Sequence, residues 1–490
     1  MASSTDASSS GPNSADPNSA DQNSADPNLC SSTMAQLRAL IRSGEATRRQ
    51  IVQAHLARIA EIDPIVNAFI ELRGDAALAE ADAADARQGR VLAGPLDGIP
   101  FSIKDSYGVA GLSRTDGLAI NADRRSVIDD SVVARLRAAG ALILGHGNVP
   151  DLCVRWNTIS GVHGTTRNPR DPVRTVGGSS GGEAASVAAG MAVAAIGQDL
   201  GGSIRVPASF CGVYGIRTTP GVVPNLGEYP AFPHTPGVQA MGTIGPLART
   251  VADLETVSAV IRGHEPADVV SVPITDDVPS FRKRVAVLRG ETGAVLEPEI
   301  ERRLDETVEL LREAGYEVVD GVMPDLRRAS ELWAELTGTD LVRVMLPRLG
   351  DLMIESGRQH VQQMFGQFEL GTAAGVDLGA YNDAWIERTA LYETWARFAE
   401  EYPLVVAPVA GMPTPLLDFD SMLDADATMR LFDQMRCVPW VNLFGLPALA
   451  LPNGIQLVGR RFREAEVFAA ARAVEPGLGP VRIATPDASS

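Results

Sequence analysis

The stretch TVGGSSGGEAAS, residues 175–186, holds four glycines and three serines and runs straight into a small-residue apolar segment. Shortly beyond it, a second loop of the same kind follows within GQDLGGSIRVPASFCG, residues 197–212, and carries Ser203 after two glycines. A glycine-serine loop of this kind can cradle a phosphate, form a nucleophile elbow or act as a plain turn. A P-loop requires GxxxxGK[ST], and no lysine follows these glycines; the dinucleotide fingerprint GxGxxG does not match their spacing. Gly178–Gly182 does fit GxSxG with Ser180 at its centre, but an elbow needs a later Asp or Glu and then a His. His234, His264 and His360 lie downstream, none in a convincing loop motif.

Lysine usage points elsewhere. Only Lys104 and Lys283 occur among 43 basic residues, so arginine serves wherever positive charge alone is needed. Arginine cannot release a proton near neutral pH, and lysine can. Lys283, inside FRKR, reads as a surface charge. Lys104 sits in GIPFSIKDSYGV, which reads as a strand running into a loop. A serine hydroxyl is a weak nucleophile until a base takes its proton. A lysine in a low-dielectric site can supply that base, a second serine can relay the proton, and glycines before the nucleophile leave backbone N–H groups free to face an oxyanion.

Around these motifs, short apolar strands alternate with helices. MAQLRALIRSG and TRRQIVQAHLARIAEID read as amphipathic helices, the second with Thr47 as N-cap. Residues 75–88 read as a helix; SVVARLRAAGALILGHGN reads as a helix and a buried strand. AASVAAGMAVAAIGQD reads as one buried helix between the two loops. RVAVLRG, PEIERRLDETVELLREAG and YEVVD form a strand–helix–strand unit, and LVVAPV and ALALPNGIQLVG are further buried strands. The pattern predicts an α/β fold with a mixed or largely parallel sheet. Residues 1–33, with NSADP-type repeats, are expected to be a disordered tail; 34–480 form one domain, and 481–490 a flexible tail.

Composition narrows the function. The net charge of −18 argues against nucleic acid, which demands basic patches. No apolar run is long enough for a transmembrane helix, and the N-terminal segment lacks the pattern of a secretory signal, so a cytoplasmic protein is expected. Cys30, Cys153, Cys211 and Cys437 form no CxxC pair, and no HExxH occurs, so no metal or other cofactor is expected. Cys153 and Cys211 read as packed thiols.

GGSSGG, DLGGSIRVPASFCGVYGIRTTPG and the upstream GIPFSIKD together resemble the amidase signature family, and the resemblance extends over 34–475. It implies an amidase signature fold, with a large mixed β-sheet covered by helices on both faces. It further implies a catalytic Lys104, a bridging Ser179 at a cis peptide bond, and Ser203 as the acyl-enzyme nucleophile. The backbone N–H groups of Leu200, Gly201, Gly202 and Ser203 would form the oxyanion hole, with Ser180, Asp199 and Arg205 in support. Gln198, Arg217 and Thr218 depart from the residues common at their positions. The implied activity is hydrolysis of a carboxylic amide with release of ammonia or an amine, without a cofactor. Two alternatives stay open: a carbamate or ester hydrolase, and the glutamine-hydrolysing subunit of a tRNA-dependent amidotransferase. A small-molecule amide or carbamate is the expected partner, and a homodimer is left open. The substrate pocket is expected to draw on 153–158, 225–240 and the helices of 335–380, with Cys153, Trp156, Tyr229 and Phe232, and with Met364 and Phe368, offering contacts for an apolar or aryl group.

Overall fold

The computed structural model describes residues 27–227, 234–274, 280–417, 419–421 and 424–486. Their centre is an eleven-stranded sheet. From edge to edge its strands are Phe69–Leu72, Leu142–Gly147, Pro100–Lys104, Ala194–Asp199, Thr243–Ala248, Tyr214–Arg217, Ala448–Ala450, Ile455–Val458, Leu404–Pro408, Arg284–Val287 and Glu317–Val319. The sheet is mixed: Pro100–Lys104 is parallel to both its neighbours, and Ala194–Asp199 is antiparallel to Thr243–Ala248.

Both faces are covered, as the two-residue period of a strand requires. Phe101 and Ile103 enter one core with Ile143, Ala194 and Ile196. Leu142, Leu144 and Ala195 enter the other, packed against Ala184 and Ala185 of the helix Gly181–Ala188. Lys104, of opposite parity to Phe101 and Ile103, therefore faces that helix's side of the sheet.

The expected helices at Met34–Ser43, Arg48–Val66 and Gly74–Gln88 form, and Thr33 and Thr47 each close a capping box on the first two. The segment expected as a single buried helix instead divides. Gly181–Ala188 is helical, Gly190 turns the chain at φ +72°, and Ala194–Asp199 is a sheet strand. Parts of both segments expected as tails are ordered. Pro27–Ser31 form a helical turn with Leu29 and Cys30 buried, and Cys30 O accepts a hydrogen bond from Arg249. At the other end Ala484 donates its N–H to Ala188 O (2.8 Å) and accepts from Arg58 (2.9 Å). Residues 1–26 and 487–490 lie outside the described residues.

Candidate active site

Lys104 ends its strand completely buried, and its Nζ donates to Ser179 Oγ (2.8 Å) and Ser180 Oγ (3.0 Å). The two serines precede the helix Gly181–Ala188, and the Gly178–Ser179 peptide bond is cis. The helix approaches its neighbours closely because its first residues are glycines. A Cβ on Gly182 would lie 2.2 Å from Asn148 N, and one on Gly181 2.1 Å from Thr158 Oγ1.

The two hydroxyls differ in what remains free. Ser180 Oγ accepts from Lys104 and from Gln198 N (3.3 Å), and donates to Gln198 O (3.3 Å). One donor and two acceptor sites are all a hydroxyl has, so Ser180 is saturated. Ser179 accepts from Lys104, and no acceptor for its own O–H is present among the described residues. It lines a cavity of about 240 Å³ together with Ser203, Cys153, Gln198, Tyr107 and Asp116. Ser203 is held beside the pair by its carbonyl, which accepts from Ser180 N (3.1 Å).

Asp199 organises the second loop. It accepts from Gly202 N (2.8 Å), Ile204 N (3.2 Å), Arg205 Nε (3.0 Å) and Asn442 Nδ2 (2.8 Å). Burial pushes its carboxyl up, but Arg205, Arg217 and Asn442 outweigh burial and hold it well below the usual carboxylate range. Arg205 also donates to Gln456 Oε1 (2.8 Å), tying the loop to the closing segment of the chain. Arg217 donates to the carbonyls of Asp199, Met241 and Leu446, and burial lowers it to about 9.

The bond from Gly202 corrects one expectation. An N–H committed to Asp199 cannot also face an oxyanion, so Gly202 leaves the expected set of four donors. The N–H groups of Leu200, Gly201 and Ser203 have no internal acceptor among the described residues. Two tryptophans set the orientation. Trp333 Nε1 donates to Leu200 O (3.0 Å), and Trp156 Nε1 donates to Gly201 O (2.8 Å). Because a trans peptide points its N–H opposite its C=O, the first bond turns the Gly201 N–H away from Trp333, and the second turns the Gly202 N–H away from Trp156.

A smaller lobe of about 40 Å³ adjoins Ser203 and is walled by Trp156, Trp333, Phe365, Leu341 and Gly201. The rings of Trp156 and Trp333 stack at 6.5 Å. Cys153 borders both spaces, and burial pushes its thiol up to about 11, as it pushes Cys211 to about 12. Cys211 is a packed thiol, whereas Cys153 is half-buried and faces the two spaces. Met364 belongs to the core, and Phe368 packs on Phe432 instead of lining either space. Tyr229 and Phe232 lie outside the described residues. Leu341 and Phe365 fall in the 335–380 helices expected to line the pocket, whereas Trp333 lies just before them and carried no local signal in the sequence. Tyr107 and Asp116 carried no signal of their own in the sequence.

The carboxyls of Asp105 and Glu183, both fully buried near Lys104, are each pushed up to about 8 by burial. Among the described residues, no cluster of His, Cys, Asp and Glu could hold a metal ion.

A family model described as Amidase matches residues 50–468. The chain belongs to the amidase signature family. Membership places it among enzymes that cleave carboxylic amide C–N bonds. It is similar to a glutamyl-tRNA(Gln) amidotransferase subunit of Chloroflexus aurantiacus, at 36% identity over 89% of this chain and 94% of that one. It is also similar to the indoleacetamide hydrolase of Bradyrhizobium diazoefficiens, at 31% identity over 90% and 85%. Among solved structures, a substrate complex of 6-aminohexanoate cyclic dimer hydrolase superposes with a TM-score of 0.78, at 26% identity over 93% of this chain and 98% of that one. No helix among the described residues is long and apolar enough to cross a membrane.

Proposed function

We propose that this amidase signature enzyme hydrolyses a small carboxylic amide through a Ser203 acyl-enzyme, with Ser179 and Lys104 as its proton relay. The observation that carries the reading is the 2.8 Å contact of Lys104 Nζ with Ser179 Oγ beside a cavity that Ser179 shares with Ser203. Deprotonated Lys104 takes the Ser179 proton as Ser179 takes that of Ser203, and Ser203 Oγ bonds to the carbonyl carbon. The resulting oxyanion is received by the N–H groups of Leu200, Gly201 and Ser203, which have no internal acceptor among the described residues. The C–N bond then breaks, its electron pair stays on nitrogen, and Ser179 delivers the proton that makes ammonia or a free amine. Water repeats the attack on the ester and releases the acid. The small aromatic lobe suits an apolar or aryl group on the acyl side, in keeping with the likeness to indoleacetamide hydrolase.

The test is hydrolysis of a panel of aliphatic amides, aryl amides, anilides, carbamates and esters, followed by mass spectrometry. Ser203→Ala and Lys104→Ala are each expected to abolish turnover while the proteins remain folded. Full activity in either variant would refute the assignment. A glutamine-hydrolysing component of a larger amidotransferase is the second reading, favoured by the 36% identity to the Chloroflexus aurantiacus chain. Glutaminase activity that appears only with co-purified partner proteins would select it.

A further inference from the structure

The aromatic lobe beside Ser203 contains a histidine that the proposed chemistry leaves unused. His360 lines it from the helix Glu355–Phe365, together with Phe365. His360 is 4% exposed, and its Nδ1 lies 3.2 Å from the backbone oxygen of Asp420. A carbonyl oxygen only accepts, so Nδ1 carries the hydrogen. The Asp420 carboxylate, 3.7 Å from the same nitrogen, favours that tautomer. Burial, reinforced by Arg155, outweighs Asp420 and keeps the imidazole below the usual histidine range. In the neutral ring Nε2 is then an acceptor. It has no hydrogen-bond partner among the described residues, yet it keeps accessible surface, whereas the unpartnered Nε2 atoms of His55, His146 and His163 are sealed inside. The strong donors of the same wall are committed. Trp156 and Trp333 bond to Gly201 O and Leu200 O, and Arg155 bonds to Asp420 (2.6 and 3.1 Å), Ser356 (3.2 Å) and Ser421 (2.8 Å).

From this arrangement we propose that the preferred acyl group is an aromatic ring bearing an O–H or N–H donor, and that His360 is the specificity-determining residue that accepts from it through Nε2. The lobe is otherwise walled by rings and aliphatic side chains, so it takes a flat apolar body and offers one acceptor to its edge. A ring without a donor fills the same space but displaces water from Nε2 and leaves that nitrogen unmet, which is the costly case for a buried polar atom. A ring that presents only a lone pair meets another lone pair. The group belongs on the acyl side because the lobe borders Ser203 and not Ser179, the residue that hands the proton to the departing nitrogen. This placement rests on the Ser203–Ser179–Lys104 reading above.

The experiment compares hydroxyphenyl- and aminophenylacetamides, substituted at each ring position, with methylphenylacetamides of equal size and with pyridylacetamides, which only accept, near neutral pH. The best donor-bearing ring is expected to exceed its methyl counterpart by about tenfold or more in kcat/KM, with the pyridyl compounds no better than the methyl ones. His360→Phe should bring the donor-to-methyl ratio close to one, and His360→Gln, whose amide oxygen can accept in place of Nε2, should restore part of it. Calorimetric binding of the same amides to the Ser203→Ala protein, in which His360 is intact, should show the same order without turnover. That arm holds even where a variant at 360 fails to fold, and it separates two failures. Hydrolysis and binding of arylacetamides with no donor preference overturn this inference and spare the proposed function. A donor preference in binding without any turnover by the unaltered protein overturns the function and spares the inference. A preference for the pyridyl series overturns the inference, as does a donor preference that survives unchanged in His360→Phe.

Discussion

Ser179 and Ser180 are neighbours with the same side chain and the same lysine donor, yet only one can pass a proton on. Ser180 spends its O–H on Gln198 O and both acceptor sites on Lys104 and Gln198 N, which makes it a brace. Ser179→Ala is therefore expected to lower kcat by about the 10²–10⁴-fold of a lost acid–base group, with Ser180→Ala less severe; equal losses in steady-state assays would contradict the division. Lys104→Arg should fail as completely as Lys104→Ala, because a guanidinium keeps the charge but not the ability to give up a proton. Asp199 is the other decisive residue. Replacing it by Ala strands the buried Arg205 and frees three N–H groups, so a loss of about 3–5 kcal/mol in denaturant unfolding is expected. At this scale the residues of the proposed triad stood out, since Lys104 is one of two lysines and both serines follow glycines. The Gly202 donor was misassigned because nothing in DLGGS indicates that the Asp199 side chain folds back onto its own loop.

The element that the sequence misstates is AASVAAGMAVAAIGQD. Alanine, glycine and valine in unbroken sequence carry neither a helical nor a strand period, so local pattern cannot divide the run. Its division is made by partners. Ala194–Asp199 fills the place between Pro100–Lys104 and Thr243–Ala248, where its backbone groups complete two ladders, and Gly190 supplies the left-handed turn that leads into it. The preceding helix must lie against Asn148 and Thr158 to bring Ser179 and Ser180 to Lys104. Gly182→Ala places a methyl 2.2 Å from the Asn148 backbone nitrogen, which cannot yield as a flexible side chain would. A destabilisation of about 1–3 kcal/mol is expected, with a fall in kcat as the serine pair shifts; unchanged Tm and kcat would show that the contact is loose.

Across the whole molecule, burial near the site produces a pH-dependent stability. Glu183 is fully buried with both carboxyl oxygens unpartnered, and burial raises it from 4.5 to about 8. The folded state therefore holds a proton that the unfolded chain has released. Stability from this group is full below about 4.5 and declines as pH rises toward 8. Glu183→Gln, which cannot ionise, should flatten the decline by an amount on the order of a few kcal/mol between pH 5 and 9, read by denaturant unfolding. An unchanged slope would show that Glu183 does not carry it. The same large core explains what was and was not legible. The sequence by itself determined the α/β class and the family, and it marked the lysine and serines of the proposed chemistry, because glycine spacing, strand alternation and a scarce lysine are local signals. Only the tertiary structure decided that Ser180 is saturated, that Trp156 and Trp333 orient the 200–203 loop, and that Ser106, Tyr107 and Asp116 share a cavity with Ser203. Those facts depend on which atoms lie within hydrogen-bond reach after the sheet has assembled, and residues such as Gly201 and Trp333, 132 positions apart, acquire that relation only through packing.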